Sequence, residues 1–166
     1  MLDPAVATLL RQNPKSYVIS ADRVANVTAT NNLEHALMVL SKVGYTRIPV
    51  LSPDDHLQGM LALSAVTDRL LQVPGAAVDQ LSGVLVSEVM QPIRHWVDDA
   101  TKLETILNLL VDEPFIPLVD ADMTFRGIIT RREILKRVNY LAHNLDKQYL
   151  VSPRTDVAVG DGLNEA

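Results

Sequence analysis

The chain has 166 residues, of which 48% are apolar, 4% aromatic and 21% charged, enough to close an aliphatic core without disulfide or metal staples. It contains no cysteine, which excludes a disulfide framework and thiolate chemistry. A net charge of −5 argues against sequence-independent affinity for nucleic acid, because such affinity rests on many phosphate contacts.

Residues 1–16 predict an amphipathic helix, with Leu2, Val6, Leu9 and Leu10 on one side. Residues 17–77 and 78–142 then read as two copies of one unit, each running strand, helix, strand, strand, helix. The segment Asn31–Leu40 lines up with Thr101–Leu110. Leu33, Ala36, Leu37 and Leu40, and in the other copy Leu103, Ile106, Leu107 and Leu110, fall at helical spacing on one face. Asn31 stands three residues before Glu34, and Thr101 three before Glu104, which predicts a capping box at each start. Next, Tyr45–Leu51 corresponds to Pro114–Val119. Both are short buried strands with an interior proline, which predicts an edge position or a bulge and leaves backbone groups free for a ligand. Turn residues Ser52–Asp55 and Asp120–Asp122 lead to the second strands at Gly59–Leu61 and Gly127–Ile129. Helices are expected over 64–73 and 131–142. The connector is short, at 74–80, and residues 143–166 predict a helix end followed by a mobile tail from Ser152. A unit this small cannot close its own core, so the two copies are expected to pack sheet to sheet as one body.

The pattern Ile48-Pro49-Val50 or Ile116-Pro117-Leu118 in the middle strand, with Gly127-Ile-Ile-Thr-Arg-Arg-Glu-Ile-Leu135 before the last helix, resembles a tandem CBS (Bateman) domain pair across roughly residues 17 to 142. The segments Asp22–Val27, Asn31–Leu37, Gly44–Thr46 and Thr130–Arg132 resemble the stand-alone CbpB/DarB cyclic di-AMP-binding group. The resemblance implies an α/β (α+β) module of two β-α-β-β-α repeats that forms a homodimer without enzymatic activity. It also implies that the ligand-free form binds and stimulates the (p)ppGpp synthetase/hydrolase of the stringent response, and that cyclic di-AMP disrupts the contact.

Thr130 is positioned to cap the last helix, with Glu133 completing a capping box. Arg131 and Arg132 in the first turn oppose the helix dipole unless an anion sits there. Amide groups, dipole and two guanidinium forks would then converge on phosphate. The bland alternative is a pair of solvated surface arginines. In a CBS pair the adenine end lies on the first copy, which nominates Arg23, Ala25, Val27, Tyr45, Thr46, Ile48 and Pro49. Backbone near Ala25 and Val27 would read the purine edge, Ile48 would cover its face, Tyr45 would stack, and Thr46 would bond sugar or phosphate. For the aliphatic members core packing is an equal alternative, and for Arg23 a surface charge. The clefts are not equivalent, since Ala62 and Ala65 stand where the second copy has Thr130 and Glu133. One competent cleft per chain is expected. Mononucleotide-binding members usually carry Asp at the Glu133 position to hold the ribose diol. A cyclic dinucleotide, whose 3′ oxygens are esterified, needs it less.

Chemistry is not expected. His35, His56, His95 and His143 form no metal-spaced pair, and neither a phosphate loop nor a nucleophile elbow occurs. Asp54-Asp55 and Asp98-Asp99 read as turn and helix-entry residues. Trp96, at the place equivalent to Asn26, is expected in the core, with an interface anchor as the alternative. No uncharged stretch reaches the roughly 18 residues of a membrane span, and no leader pattern opens the chain, so a cytoplasmic location is expected. A cyclic di-AMP receptor with no other cofactor or metal is the leading reading. An AMP/ATP/ADP-sensing module and a ligand-independent interaction module stay open.

Overall fold

Two three-stranded sheets organise the chain, and each receives a leading segment from the other half of the sequence. The computed structural model describes residues 2, 4–12, 17–72, 75 and 77–150. Helix α1 (Pro4–Gln12) opens on proline, whose fixed φ suits a first helical position, and strand β1 (Val18–Ser20) follows. The first copy continues with β2 (Val27–Thr28), α2 (Leu33–Val43), β3 (Arg47–Leu51), β4 (Leu57–Ala62) and α3 (Leu63–Leu71). After a 3-10 segment (Val78–Gly83) comes the short helix α4 (Val86–Val89), then α5 (Leu103–Asp112), β5 (Phe115–Val119), β6 (Phe125–Thr130) and α6 (Arg131–Gln148). The mixed helix and strand class agrees with the sequence reading. The expected tail from Ser152, part of the connector and residues 13–16 lie outside the described residues.

The sheets have the orders β2-β3-β4 and β1-β6-β5. Strand β1 precedes the first copy yet pairs antiparallel with β6 of the second, Ile19 opposite Ile128 and Ser20 opposite Gly127. The reciprocal contact is shorter: Met60 of β4 exchanges hydrogen bonds of 2.9 and 2.8 Å with Gln91. A glycine marks each crossing. Gly127 has φ +148°, and a Cβ there would lie 2.1 Å from the Ile19 carbonyl oxygen. A Cβ on Gly59 would lie 2.8 Å from the Gln91 carbonyl oxygen. In the place of β2, the second copy has only the bridge between Val97 and Leu118.

The helical periodicities hold. Leu33, Ala36 and Leu40 are buried in the first copy's core together with Ile48, Val50, Leu61 and Val66. Leu103 is buried as well, and Ile106 and Leu110 pack with Ile116, Ile129 and Ile134 in the second. Leu81, Val84 and Val86 complete the first core, whereas Tyr17 and Val18 pack on the second, so the crossing is hydrophobic as well as hydrogen-bonded. A central cluster of Val24, Leu51, Leu57, Val119, Phe125 and Ile128 joins the sheets face to face. Helix α1 is tied to α6 through Arg137, which is 4% exposed, donates to the Leu10 carbonyl and stands 4.4 Å over the Tyr17 ring. Burial lowers the Arg137 pKa and raises that of Tyr17. No helix among the described residues is long and apolar enough to cross a membrane.

Several local expectations are corrected. The cap of α2 is Asn32, whose side chain accepts from the His35 amide at 2.9 Å, while Asn31 accepts from Thr28. Helix α5 begins after Lys102, without a side-chain cap. Thr101 instead donates its amide to Asp99 at 2.7 Å. Strand β3 is central rather than an edge, with its irregularity at Val50/Leu51, one residue past Pro49. The proline is tolerated because Met60 directs its own backbone groups to Gln91, making the Pro49–Met60 pair a non-hydrogen-bonded one. The missing N–H therefore faces the β2 side. Helix α6 continues beyond 142 to Gln148, inside the 143–166 segment expected to hold the helix end. Trp96 is 46% exposed and not a core residue.

Candidate functional site

A cleft of about 280 Å³ opens between the two copies. Its first-copy wall comes from Ala25, Tyr45, Thr46, Arg47 and Pro49, and its second-copy wall from Pro114, Phe115, Thr130, Arg132 and Glu133. Ile19, Val24 and Ile128 supply an apolar floor continuous with the central cluster.

The end of β3 explains one polar feature of this wall. In the parallel β2–β3 ladder, Pro49 and Leu51 face β2, and Ala29 donates to the Leu51 carbonyl at 3.0 Å. The donor that would next meet the Ala25 carbonyl is Pro49, which has none. Proline therefore leaves an acceptor at the cleft mouth, beside the exposed Tyr45 and Thr46.

The opposite wall is the start of α6. Thr130 accepts from the Glu133 amide at 3.2 Å, the cap that the sequence predicts. The reciprocal half of the capping box is absent: the Glu133 carboxylate receives Lys136 instead. The two arginines separate. Arg132 is exposed, lines the cleft and has no hydrogen-bond or ion-pair partner among the described residues. Arg131 points away. Its Nε donates to the Leu110 carbonyl at 2.8 Å and its Nη2 to those of Val111 and Glu113 at 3.1 Å. It caps the carboxyl end of α5, where a cation meets the negative end of the helix dipole. The expected double guanidinium clamp is thus a single free guanidinium, backed by a structural one.

Other nominated residues also divide. Ile48 belongs to the lining but is fully buried in the first core, because alternate side chains of a strand face opposite ways. It cannot cover a base. Val27 is 2% exposed and paired in β2, outside the lining, and Arg23 ends the 3-10 turn Ala21–Arg23, also outside it. Ala25, Tyr45, Thr46, Pro49, Thr130, Arg132 and Glu133 are brought together. The sequence reading missed Ile19, Val24, Arg47, Pro114, Phe115 and Ile128. The repeat alignment contained a signal for two of them, since Pro114 and Phe115 are the counterparts of Thr46 and Arg47.

The related second cleft is built differently. It is lined by Gln91, Pro92, Arg94 and His95, with Met60, Glu113 and Pro117 at places corresponding to Ile128, Tyr45 and Pro49. Its free volume is about 20 Å³. Glu113 fills the place of Tyr45, receives Arg47 Nη1 at 2.8 Å and lies 3.3 Å from His95 Nδ1.

The CBS domain family model matches residues 86–140, within the second copy. The chain is 34% identical over 142 residues to cyclic di-AMP receptor B of Bacillus subtilis, covering 84% of this chain and 95% of that protein. Among solved structures, it is similar to CbpB from Streptococcus agalactiae, with a TM-score of 0.81, 26% identity and coverage of 92% and 96% of the two chains. It is also similar to Listeria monocytogenes CbpB in complex with c-di-AMP, with a TM-score of 0.69, 44% identity and coverage of 76% and 94%. With identity of this extent over nearly the full length of a relative, and the same arrangement of two packed repeats, the chain belongs to the CbpB family of CBS-domain proteins.

Proposed function

We propose that this protein is a non-catalytic cyclic di-AMP receptor, in which the messenger binds the larger cleft. The observation that carries the reading is Arg132: an unpartnered guanidinium in the first turn of α6, facing a cleft with an apolar floor. A phosphodiester there meets the guanidinium fork and the positive end of the helix together. The adenine lies on Ile19, Val24, Pro49 and Ile128, with Tyr45 against its face and the Ala25 carbonyl accepting from its exocyclic amine. Thr46 and Thr130 bond the sugar or phosphate. The names of the Bacillus relative and of the Listeria complex support the same ligand.

Glu133 on the cleft wall favours a second reading, an AMP- or ATP-sensing module, because a carboxylate can accept from a ribose diol. Calorimetry with cyclic di-AMP, AMP and ATP separates the two. Cyclic di-AMP should bind at one site per chain and clearly more tightly than either mononucleotide. Low-micromolar binding of AMP alone would overturn the reading. Arg132→Met should weaken cyclic di-AMP by roughly 10- to 100-fold, the range of a charge-assisted hydrogen bond. Its melting temperature should stay within about 2 °C of the parent, as expected for an exposed side chain without a hydrogen-bond or ion-pair partner.

The wider proposal is a cytoplasmic homodimer whose ligand-free form binds and stimulates the (p)ppGpp synthetase/hydrolase, released when cyclic di-AMP fills the cleft. Exposed Trp96, Val111 and Leu135 offer apolar surface for such contacts. Co-purification of the two proteins, lost on adding cyclic di-AMP and retained with Arg132→Met, tests the partner.

A further inference from the structure

Arg47 and its repeat counterpart Phe115 line both clefts and so form the partition between them. In the structure Arg47 is turned to the smaller side, where its guanidinium pairs with Glu113 of the other copy at 2.8 Å. We propose that Arg47 is a second anion-binding guanidinium of the larger cleft, held off it by Glu113 until a dianionic ligand draws it across. The inference rests on the cyclic di-AMP reading and deepens it.

Three observations point the same way. The messenger carries two phosphodiesters, whereas the larger cleft holds one unpartnered guanidinium, Arg132, and a carboxylate, Glu133, on the same wall. One arginine leaves a charge unmatched. Arg47 is the other cation on the lining, and its side chain is 30% exposed, so a change of side-chain torsions redirects it without unpacking the core. Glu113 is also not stranded by its departure. Its side chain is 17% exposed and needs a partner, and His95 Nδ1 stays 3.3 Å from its other oxygen. With the proton on Nδ1, the imidazole donates to the carboxylate that Arg47 has left. Glu113 is therefore a built-in competitor for the cation, and ligand affinity reflects the difference between phosphate and carboxylate as partners of Arg47.

Calorimetric titration of cyclic di-AMP into the full-length protein, its Arg47→Met and Glu113→Gln variants and the double variant tests this. Loss of Arg47 should weaken binding about tenfold, as for a charged pair to phosphate. Glu113→Gln should tighten it about two- to fivefold, the scale of a partly exposed ion pair. In the double variant the gain from Glu113→Gln should vanish, because the side chain it frees is gone. Equal affinity for Arg47→Met and parent, or an unchanged or weaker Glu113→Gln, overturns the proposal while leaving the receptor reading intact. Failure of the unaltered protein to bind cyclic di-AMP sinks the receptor reading and this one with it. Should Arg47→Met melt well below the parent, the Glu113→Gln result decides alone, since it keeps Arg47 and substitutes a near-isosteric amide.

Discussion

The two clefts share one framework and differ in what stands on it. Each is bounded by a proline-bearing strand, Pro49 in one and Pro117 in the other, and each is floored across the sheets, by Ile128 or Met60. In both copies the proline leaves one backbone acceptor without its ladder donor. The larger cleft puts Ala25, Tyr45, Thr46, Thr130 and Arg132 around that framework; their sequence counterparts are His95, Glu113, Pro114, Ala62 and Ser64, of which His95 and Glu113 line the smaller cleft. A small residue and a hydroxyl leave room and offer neutral hydrogen bonds. The carboxylate of Glu113 fills its cleft and draws Arg47 and His95 into it. A duplicated fold thus supplies two clefts, and a few substitutions leave one of them much the smaller.

The shared framework can be broken at its crossings, with the largest effect expected at Gly127. A side chain there meets the Ile19 carbonyl oxygen at 2.1 Å and must hold φ at +148°. Both penalties act together, and Gly127→Ala should cost about 3 kcal/mol or more. Gly59→Ala meets the Gln91 carbonyl oxygen at 2.8 Å and the movable Met90 side chain, with no strained φ, and should cost about 1–2 kcal/mol. Urea denaturation of both variants gives the comparison. Equal losses would mean that the three-residue β1–β6 pairing holds the body no more firmly than the single Gln91 bridge.

Arg131 ranks next. It ties α6 to three carbonyls at the end of α5, while Arg132 beside it has no hydrogen-bond or ion-pair partner among the described residues. Arg131→Met should lower stability by about 1 kcal/mol, several charged but partly exposed hydrogen bonds being lost. Ligand affinity should fall less than in Arg132→Met, by way of a loosened helix start. A ligand loss as large as that of Arg132→Met, with stability unchanged, would make Arg131 a direct ligand after all.

That pair also shows where the sequence stops being informative. Signals carried by neighbouring residues were legible: the apolar spacing of Leu33, Ala36 and Leu40, the Thr130 cap and the internal repeat all appear as read. Adjacent arginines at a helix start look alike in sequence. What separates them is a set of carbonyls some 20 residues upstream, which only the tertiary packing brings near. The exchange of β1 and Gln91 between sheets was hidden for the same reason. Ile48 was misassigned through strand phase: alternation tells which residues share a face, but the neighbouring copy decides which face is the cleft. Arg47 lies within the Tyr45–Leu51 strand in sequence, and only the packing of the two copies makes it a partition between two clefts.

The smallest effect separates the entries to the two repeat helices. Entry to α2 uses neutral amides: Asn31 accepts from Thr28 at 2.9 Å and Asn32 from His35 at 2.9 Å. Entry to α5 uses carboxylates. Asp98 is held below its ordinary pKa mainly by the hydrogen bond from Lys102, and Asp99 mainly by the backbone amide of Thr101. A lowered folded pKa means that the unfolded chain binds more protons in acid, so this contribution is complete above the unfolded value near 3.8 and is lost as pH falls through the lower folded one. Both groups are solvent-exposed, which keeps the effect small. Amide resonances followed from pH 6 downward should show Thr101 moving, with a midpoint below the usual aspartate range, while Thr28 stays put because its acceptor is an amide that does not titrate. If Thr28 moved in parallel, the acid response would belong to the whole body rather than to the second entry, and the contrast between the copies would end at the clefts.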